Sequence, residues 1–139
     1  MNYKKFENTI ALRLNIGDEI ISSLTELCEK ENIRFAQVNG IGATKKVTVG
    51  TFNTETKQYH SNTYTEIMEL VSLLGNLSVK DGKPYIHLHA CLADENGHTF
   101  GGHLNEAVIG VTAEIFVNMV DGEMERLPQE ETGINIWKI

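Results

Sequence analysis

A chain of 139 residues, 41% hydrophobic and 22% charged, holds enough material for one domain with one core, and nothing in it forces a second. Its net charge of −7 excludes a general polyphosphate-binding surface, which needs clustered Lys and Arg, and the pairs Lys4-Lys5 and Lys45-Lys46 read as solvated surface. No apolar run is long enough for a transmembrane helix.

From the start of the chain, MNYKKFENTI lacks the apolar centre of a signal peptide, so the expected location is the cytoplasm. Thr9 to Asn15, TIALRLN, alternates and reads as a strand. Gly17 and Asp18 open a helix, and Asp18 and Glu19 put carboxylates in its first turn, where the dipole favours them. Ile20, Ile21, Leu24, Leu27 and Cys28 form its apolar stripe, and Asn32 is its stop. Arg34 to Asn39 and Val47 to Phe52 read as two strands separated by a bend at Gly40-Ile41-Gly42, where backbones pass closely. Thr54 to Thr63 is polar, a hairpin or loop carrying the isolated His60. Ile67, Leu70, Val71 and Leu74 fit a helical period that Gly75 and Asn76 would cut, and Leu77 to Lys80 alternates. Asp81-Gly82 is a hairpin turn signal. Val108 to Val120 reads as a long strand ending at a second Asp-Gly pair, Asp121-Gly122, and the tail GINIWKI alternates again. Many strands, tight turns and one clear helix predict an α+β fold with an antiparallel sheet. Cys28 and Cys91 lie far apart in different patterns and read as reduced thiols rather than a disulfide.

Four of the five histidines fall between Tyr85 and Gly110. Tyr85 to Ala93 alternates, with Ile86, Leu88, Ala90 and Leu92 on a core face and His87, His89 and Cys91 on the other. The turn DENG suits a three-residue hairpin with Gly97 left-handed. That turn pairs Asp94 with His98, sets His89 opposite His103 and His87 opposite Asn105, and turns Phe100 and Leu104 to the core. A two-residue turn at Asn96-Gly97 would put His103 on the core face, against the apolar pattern. His87, His89 and His103 therefore share one face. Same-side neighbours stand about 7 Å apart and cross-strand partners about 5 Å, so the three imidazoles can converge on one ion. Gly101 and Gly102 leave room beside them. His98 has the wrong parity, and Cys91 is one step along the face.

At these residues the chain resembles the plants-and-prokaryotes conserved domain family. LRLNIGDEIISSLTELCEKENI is similar to its opening strand and helix, NGIGA and LVSLLGNLS to its central motifs, and HLHACLADENGHTFGGHL to its signature. The resemblance implies that Glu69 to Val79 is strand, that the domain assembles as a homotrimer, and that His87, His89 and His103 hold a divalent metal, typically zinc, as in prokaryotic stand-alone members. Plant relatives carry an AT-hook before the domain. No Arg-Gly-Arg-Pro core occurs here, so nucleic-acid binding is not expected from that device.

Three protein ligands leave a coordination position for water or a small molecule. Glu69, Glu106 and Glu114 are candidate general bases, none of them fixed by pattern. Two other readings stay open: a DNA-binding or transcription-associated protein of the same family, and a purely structural oligomerisation module. The strand Val108 to Val120 is apolar on both parities, with Val111, Ala113, Ile115, Val117 and Met119 on one side and Phe116 and Val120 on the other. One helix covers one face. The second cover comes from another subunit or from GINIWKI.

Overall fold

The long strands curl because their pairings close on themselves. In the computed structural model, which describes residues 1–139, the elements run β1 (Asn2–Phe6), β2 (Thr9–Asn15), α1 (Ile20–Glu31), β3 (Ala36–Asn53), β4 (Gln58–Tyr64), β5 (Met68–Lys80), β6 (Lys83–Ala93), β7 (Thr99–Met119), β8 (Arg126–Pro128) and β9 (Asn135–Trp137). The main sheet has the order β1-β2-β7-β6-β5-β3-β4, and β7 also pairs with β3. Strands β3, β5, β6 and β7 therefore form a closed, wholly antiparallel ring. Closure hides the edges of these four strands. The fold is thus mostly antiparallel sheet with one short helix, and no helix is long and apolar enough to cross a membrane.

One core of 25 buried residues joins Ile20, Leu24, Leu27 and Cys28 of α1 to the inner faces of the ring. The helix starts at Ile20, two residues later than the carboxylates suggest. Glu19 is its N-cap rather than a first-turn residue, accepting from the amides of Ile21 at 3.0 Å and Ser22 at 2.7 Å. The same carboxylate accepts from the amide of Ala107 at 3.1 Å, tying the helix start to β7. Asp18 instead accepts from the N-terminal amine at 2.8 Å and the Asn15 amide at 2.9 Å. Asn32 stops the helix in the left-handed region, φ 51°, as expected.

Three other expectations change. The two strands expected at Arg34–Asn39 and Val47–Phe52 are one strand, β3, which starts at Ala36; Gly40-Ile41-Gly42 is a bulge inside it rather than a break. The helical spacing around Leu70 also belongs to a bulge. Val71 is an extra residue in β5 between the pairs Leu70–Leu92 and Ser72–Cys91, so the buried parity shifts from Met68 and Leu70 to Leu73, Leu77 and Val79. In β7, residues Ala113 and Ile109 oppose Gly42 and Thr44, which throws Val111 outward, 56% exposed, while Ala113, Ile115 and Val117 stay in the core. Val111 therefore does not share their face.

The C-terminal segment folds as the β8–β9 hairpin against the outer side of β5 and β6. It does not cover Phe116 and Val120, which remain 50% and 47% exposed. Both cysteines are free. Burial, with the charge of Glu29, pushes the Cys28 thiol up to about 12, so it is an inert core residue.

Candidate metal centre

The turn chemistry of DENG sets the site. Gly97 is left-handed, φ 79°. The Asp94 amide donates to the His98 carbonyl at 3.1 Å, and Asp94 Oδ1 accepts from the amides of Asn96 and His98 at 2.9 Å each. From that anchor the register runs through Ala93–Thr99 and Leu92–Phe100 to His89–His103, as the sequence predicts. Leu88, Ala90, Leu92 and Leu104 are buried and Phe100 packs against them. The His87–Asn105 pairing does not form. Beyond His103, β7 leaves β6 for β3, so His103 pairs with Gly50 and His87 with Asn76 of β5. Asn105 accepts instead from the Tyr59 hydroxyl at 2.7 Å.

The three imidazoles form a nearly equilateral group on the outer face of the ring. Ring centroids stand 5.4 Å apart for His87–His89, 5.3 Å for His87–His103 and 5.6 Å for His89–His103. One nitrogen from each lies within 4.8 Å of the other two. A tetrahedral site with metal–nitrogen bonds of about 2.0–2.1 Å needs nitrogens about 3.3 Å apart. Side-chain rotations of that size require no backbone movement, so the donor set fits one divalent ion. His98 sits at the turn, with Nδ1 3.1 Å from Asp94 Oδ2, and His60 is exposed on β4. Cys91 pairs with Gly101, two positions along β6 from His89, and is not in the cluster.

Gly101 and Gly102 do a different job from the one expected. A Cβ on Gly101 would strike the Ala90 carbonyl, and one on Gly102 would lie 2.7 Å from the Gly50 carbonyl. They let the strands approach closely, which draws His103 toward His87 and His89. Gly75 serves His87 the same way, because a Cβ there would strike the His87 carbonyl.

A cavity of about 550 Å³ opens beside the cluster. Tyr59, Tyr85, Phe52, Ile134 and Asn135 join the histidines in its wall, and no Asp or Glu lines it. Glu106 pairs with Lys46 at 2.9 Å. Glu69 and Glu114 border surface depressions elsewhere on the sheet. The candidate bases therefore stand outside the site, because their strand positions point them away from it.

Pattern reading missed Arg126, which lies in no motif and reaches the site only through the fold. It is 8% exposed. Its Nε donates to Ser78 Oγ at 2.8 Å, Nη1 to the Asn135 carbonyl at 2.7 Å, and Nη2 to Asn76 Oδ1 at 2.7 Å; Nη2 also stands 3.3 Å from His87 Nδ1. The Tyr85 ring packs over the guanidinium at 4.7 Å.

Burial first, then the charge of Arg126 and then the neighbouring imidazoles, push His87 down to about 4; burial and His89 lower His103 as well. Both are held neutral, the form that ligates metal. The consequence for the metal-free chain has a definite sign. Above pH 6.5 both folded and unfolded imidazoles are neutral. Between 6.5 and about 4 the unfolded chain binds protons that the native chain refuses, so stability falls as pH falls. Urea midpoints for chelator-treated protein at pH 7.5 and 5.0 are expected to show this decline, and His87→Gln to reduce it. A midpoint that is level over that range contradicts the assignment. The carboxylates with lowered values, Asp18, Glu31, Asp81 and Asp94, add their own loss only at lower pH.

Comparison with known proteins agrees with this architecture. A model of the Plants and Prokaryotes Conserved (PCC) domain matches residues 1–121. A plant- and prokaryote-conserved protein of Pyrococcus horikoshii shares 36% identity and superimposes with a TM-score of 0.87, covering 99% of this chain and 94% of that one. A protein of Archaeoglobus fulgidus described as metal-containing shares 35% identity with a TM-score of 0.87 and covers 99% of both chains. A protein of Bacteroides thetaiotaomicron, provisionally described as DNA-binding, shares 31% with a TM-score of 0.96, over 99% and 96%. The bifunctional protein GlmU of a Synechococcus strain is 30% identical over 125 residues, 88% of this chain. This chain spans only about a fifth of that protein, 19% of its length. With the domain model running from residue 1 to residue 121, the chain belongs to the Plants and Prokaryotes Conserved domain family.

Proposed function

We propose that the protein is a trimeric metal-binding domain in which His87, His89 and His103 hold one divalent ion, most simply zinc, facing a small-molecule cavity. The observation that carries this reading is the convergence of three imidazole nitrogens within 4.8 Å on one wall of that cavity. The all-nitrogen donor set suits zinc, whereas calcium and magnesium favour oxygen. The metal-containing description of the Archaeoglobus relative supports it. Such an ion, with three protein ligands, supplies Lewis acidity and an open position. The chain's own part is to hold the three imidazoles in place. Elemental analysis of the purified protein tests the reading, with about one divalent ion per chain expected and a metal-free protein that also refuses added zinc counting against it.

The homotrimer is supported by an uncovered apolar face. Ile41 of β3, Val71 and Leu74 of β5, and Phe116 of β7 are each about half exposed. Two depressions on this side of the sheet share Ile41. Contiguous apolar surface of this kind marks interaction sites in soluble proteins.

Duplex DNA fits this chain less well. The net charge is −7, and affinity for the phosphate backbone comes from Lys and Arg. In a mobility-shift titration at physiological salt, weak binding without sequence preference is expected. A tight complex on one sequence but not its scrambled version would overturn this and favour the description given to the Bacteroides relative.

A further inference from the structure

We infer that the cavity beside the histidines takes a small monocarboxylate with an apolar body, its charge held by the metal centre and by the Tyr85 hydroxyl. The inference rests on the metal reading and names the ligand class for that site. It starts from charge. Arg126 is 8% exposed, and every group it hydrogen-bonds is neutral: Ser78, Asn76, the Asn135 carbonyl and His87. A buried cation without a counter-charge is costly. An ion held by three neutral imidazoles would add two more positive charges. No Asp or Glu lines the cavity to offset them. In a chain that is acidic overall, this is a local positive site with no carboxylate of its own.

The wall selects which anion. Neither Lys nor Arg lines the cavity, so it lacks the several cationic donors that a phosphate dianion calls for. Phe52, Ile134 and the two tyrosine rings give it a largely apolar wall, and about 550 Å³ lies within the range of small-ligand sites. Of the two tyrosine hydroxyls in the wall, one is available to donate; Thr51 adds a smaller hydroxyl. Tyr85 accepts from Asn135 Nδ2 at 3.4 Å, leaving its own proton free, whereas Tyr59 already spends its proton on Asn105. A single charged head with an apolar body satisfies all of these features.

The test uses cobalt(II)-loaded full-length protein, whose visible spectrum reports the coordination sphere. Phenylacetate, its neutral isostere phenylacetamide and inorganic phosphate are the probes. Phenylacetate is expected to perturb the spectrum and to bind at least about tenfold more tightly than the amide or phosphate. Tyr85→Phe, which keeps the ring over Arg126, is expected to load cobalt normally and weaken phenylacetate by roughly tenfold, the scale of one charge-assisted hydrogen bond. Normal cobalt loading with acid and amide indistinguishable overturns the carboxylate assignment and leaves the metal reading standing. Unchanged affinity in Tyr85→Phe removes the role given to that hydroxyl. Failure to load cobalt at all overturns the metal reading and this inference together.

Discussion

Replacing His89 by Ala is expected to empty the metal centre while leaving the fold intact. His89 is exposed on the outer face of β6, so its loss makes no core cavity, and its neighbours Leu88 and Ala90 keep the strand buried. Only its imidazole contributes to the trio. Two histidines cannot hold zinc as three do, and removing a mere orienting partner of a ligand already costs 10–100-fold in affinity; loss of a ligand is expected to cost more than about 100-fold. Elemental analysis of both proteins purified side by side checks this, with circular dichroism as the folding control. Equal metal content in wild type and His89→Ala would sink the site. His98→Ala, at the turn, is the contrasting control and is expected to retain metal.

The second large effect concerns assembly. Wild type is expected to scatter light with three times the 15.5 kDa mass of the chain. Leu74→Glu combined with Phe116→Glu is expected to reduce it to the monomer. Leu74 and Phe116 are 55% and 50% exposed, and both oppose Asn39, so they flank one row of the sheet. Carboxylates there cost the monomer little. In an assembled interface each would be buried without a partner, a penalty of several kcal/mol, repeated at every symmetry copy. A wild-type monomer under dilute native conditions refutes the assembly, and an unchanged trimer in the double variant shows that this face is not the interface. Leu74 also pairs with His89, so the apolar face adjoins the histidines. Chelation is therefore expected to loosen the trimer; an unchanged mass after metal removal refutes that coupling alone.

The hairpin was legible in the sequence because its determinants are local. Asp94 and Gly97 dictate the turn, the turn dictates the register, and strict alternation from Tyr85 to Ala93 leaves one parity for the core. Counting puts His87, His89 and His103 on one face; the His89–His103 pair forms as counted, whereas His87 lies opposite Asn76 of β5. The N-terminal strand and helix were legible for the same reason, apart from the cap. There Glu19, read as a first-turn residue, is the cap, and Asp18 lies outside the helix, engaged by the N-terminal amine.

What the tertiary structure decided was set by contacts across long stretches of chain. The bulge at Val71 switches which parity of β5 is buried, and the irregular pairing around Val111 turns that residue outward; a periodicity count cannot see a change that the partner strand imposes. The same ring closure takes β7 from β6 to β3 at His103, which is why His87 faces Asn76 and not Asn105. Arg126 is 39 residues from His87, in a segment with no recognisable pattern. Its burial, its neutral partners and the carboxylate-free cavity exist only once the β8–β9 hairpin folds back onto β5 and β6. Local turn chemistry and side-chain parity were therefore enough to put the three histidines on one face, whereas their electrostatic setting depends on distant segments being packed together.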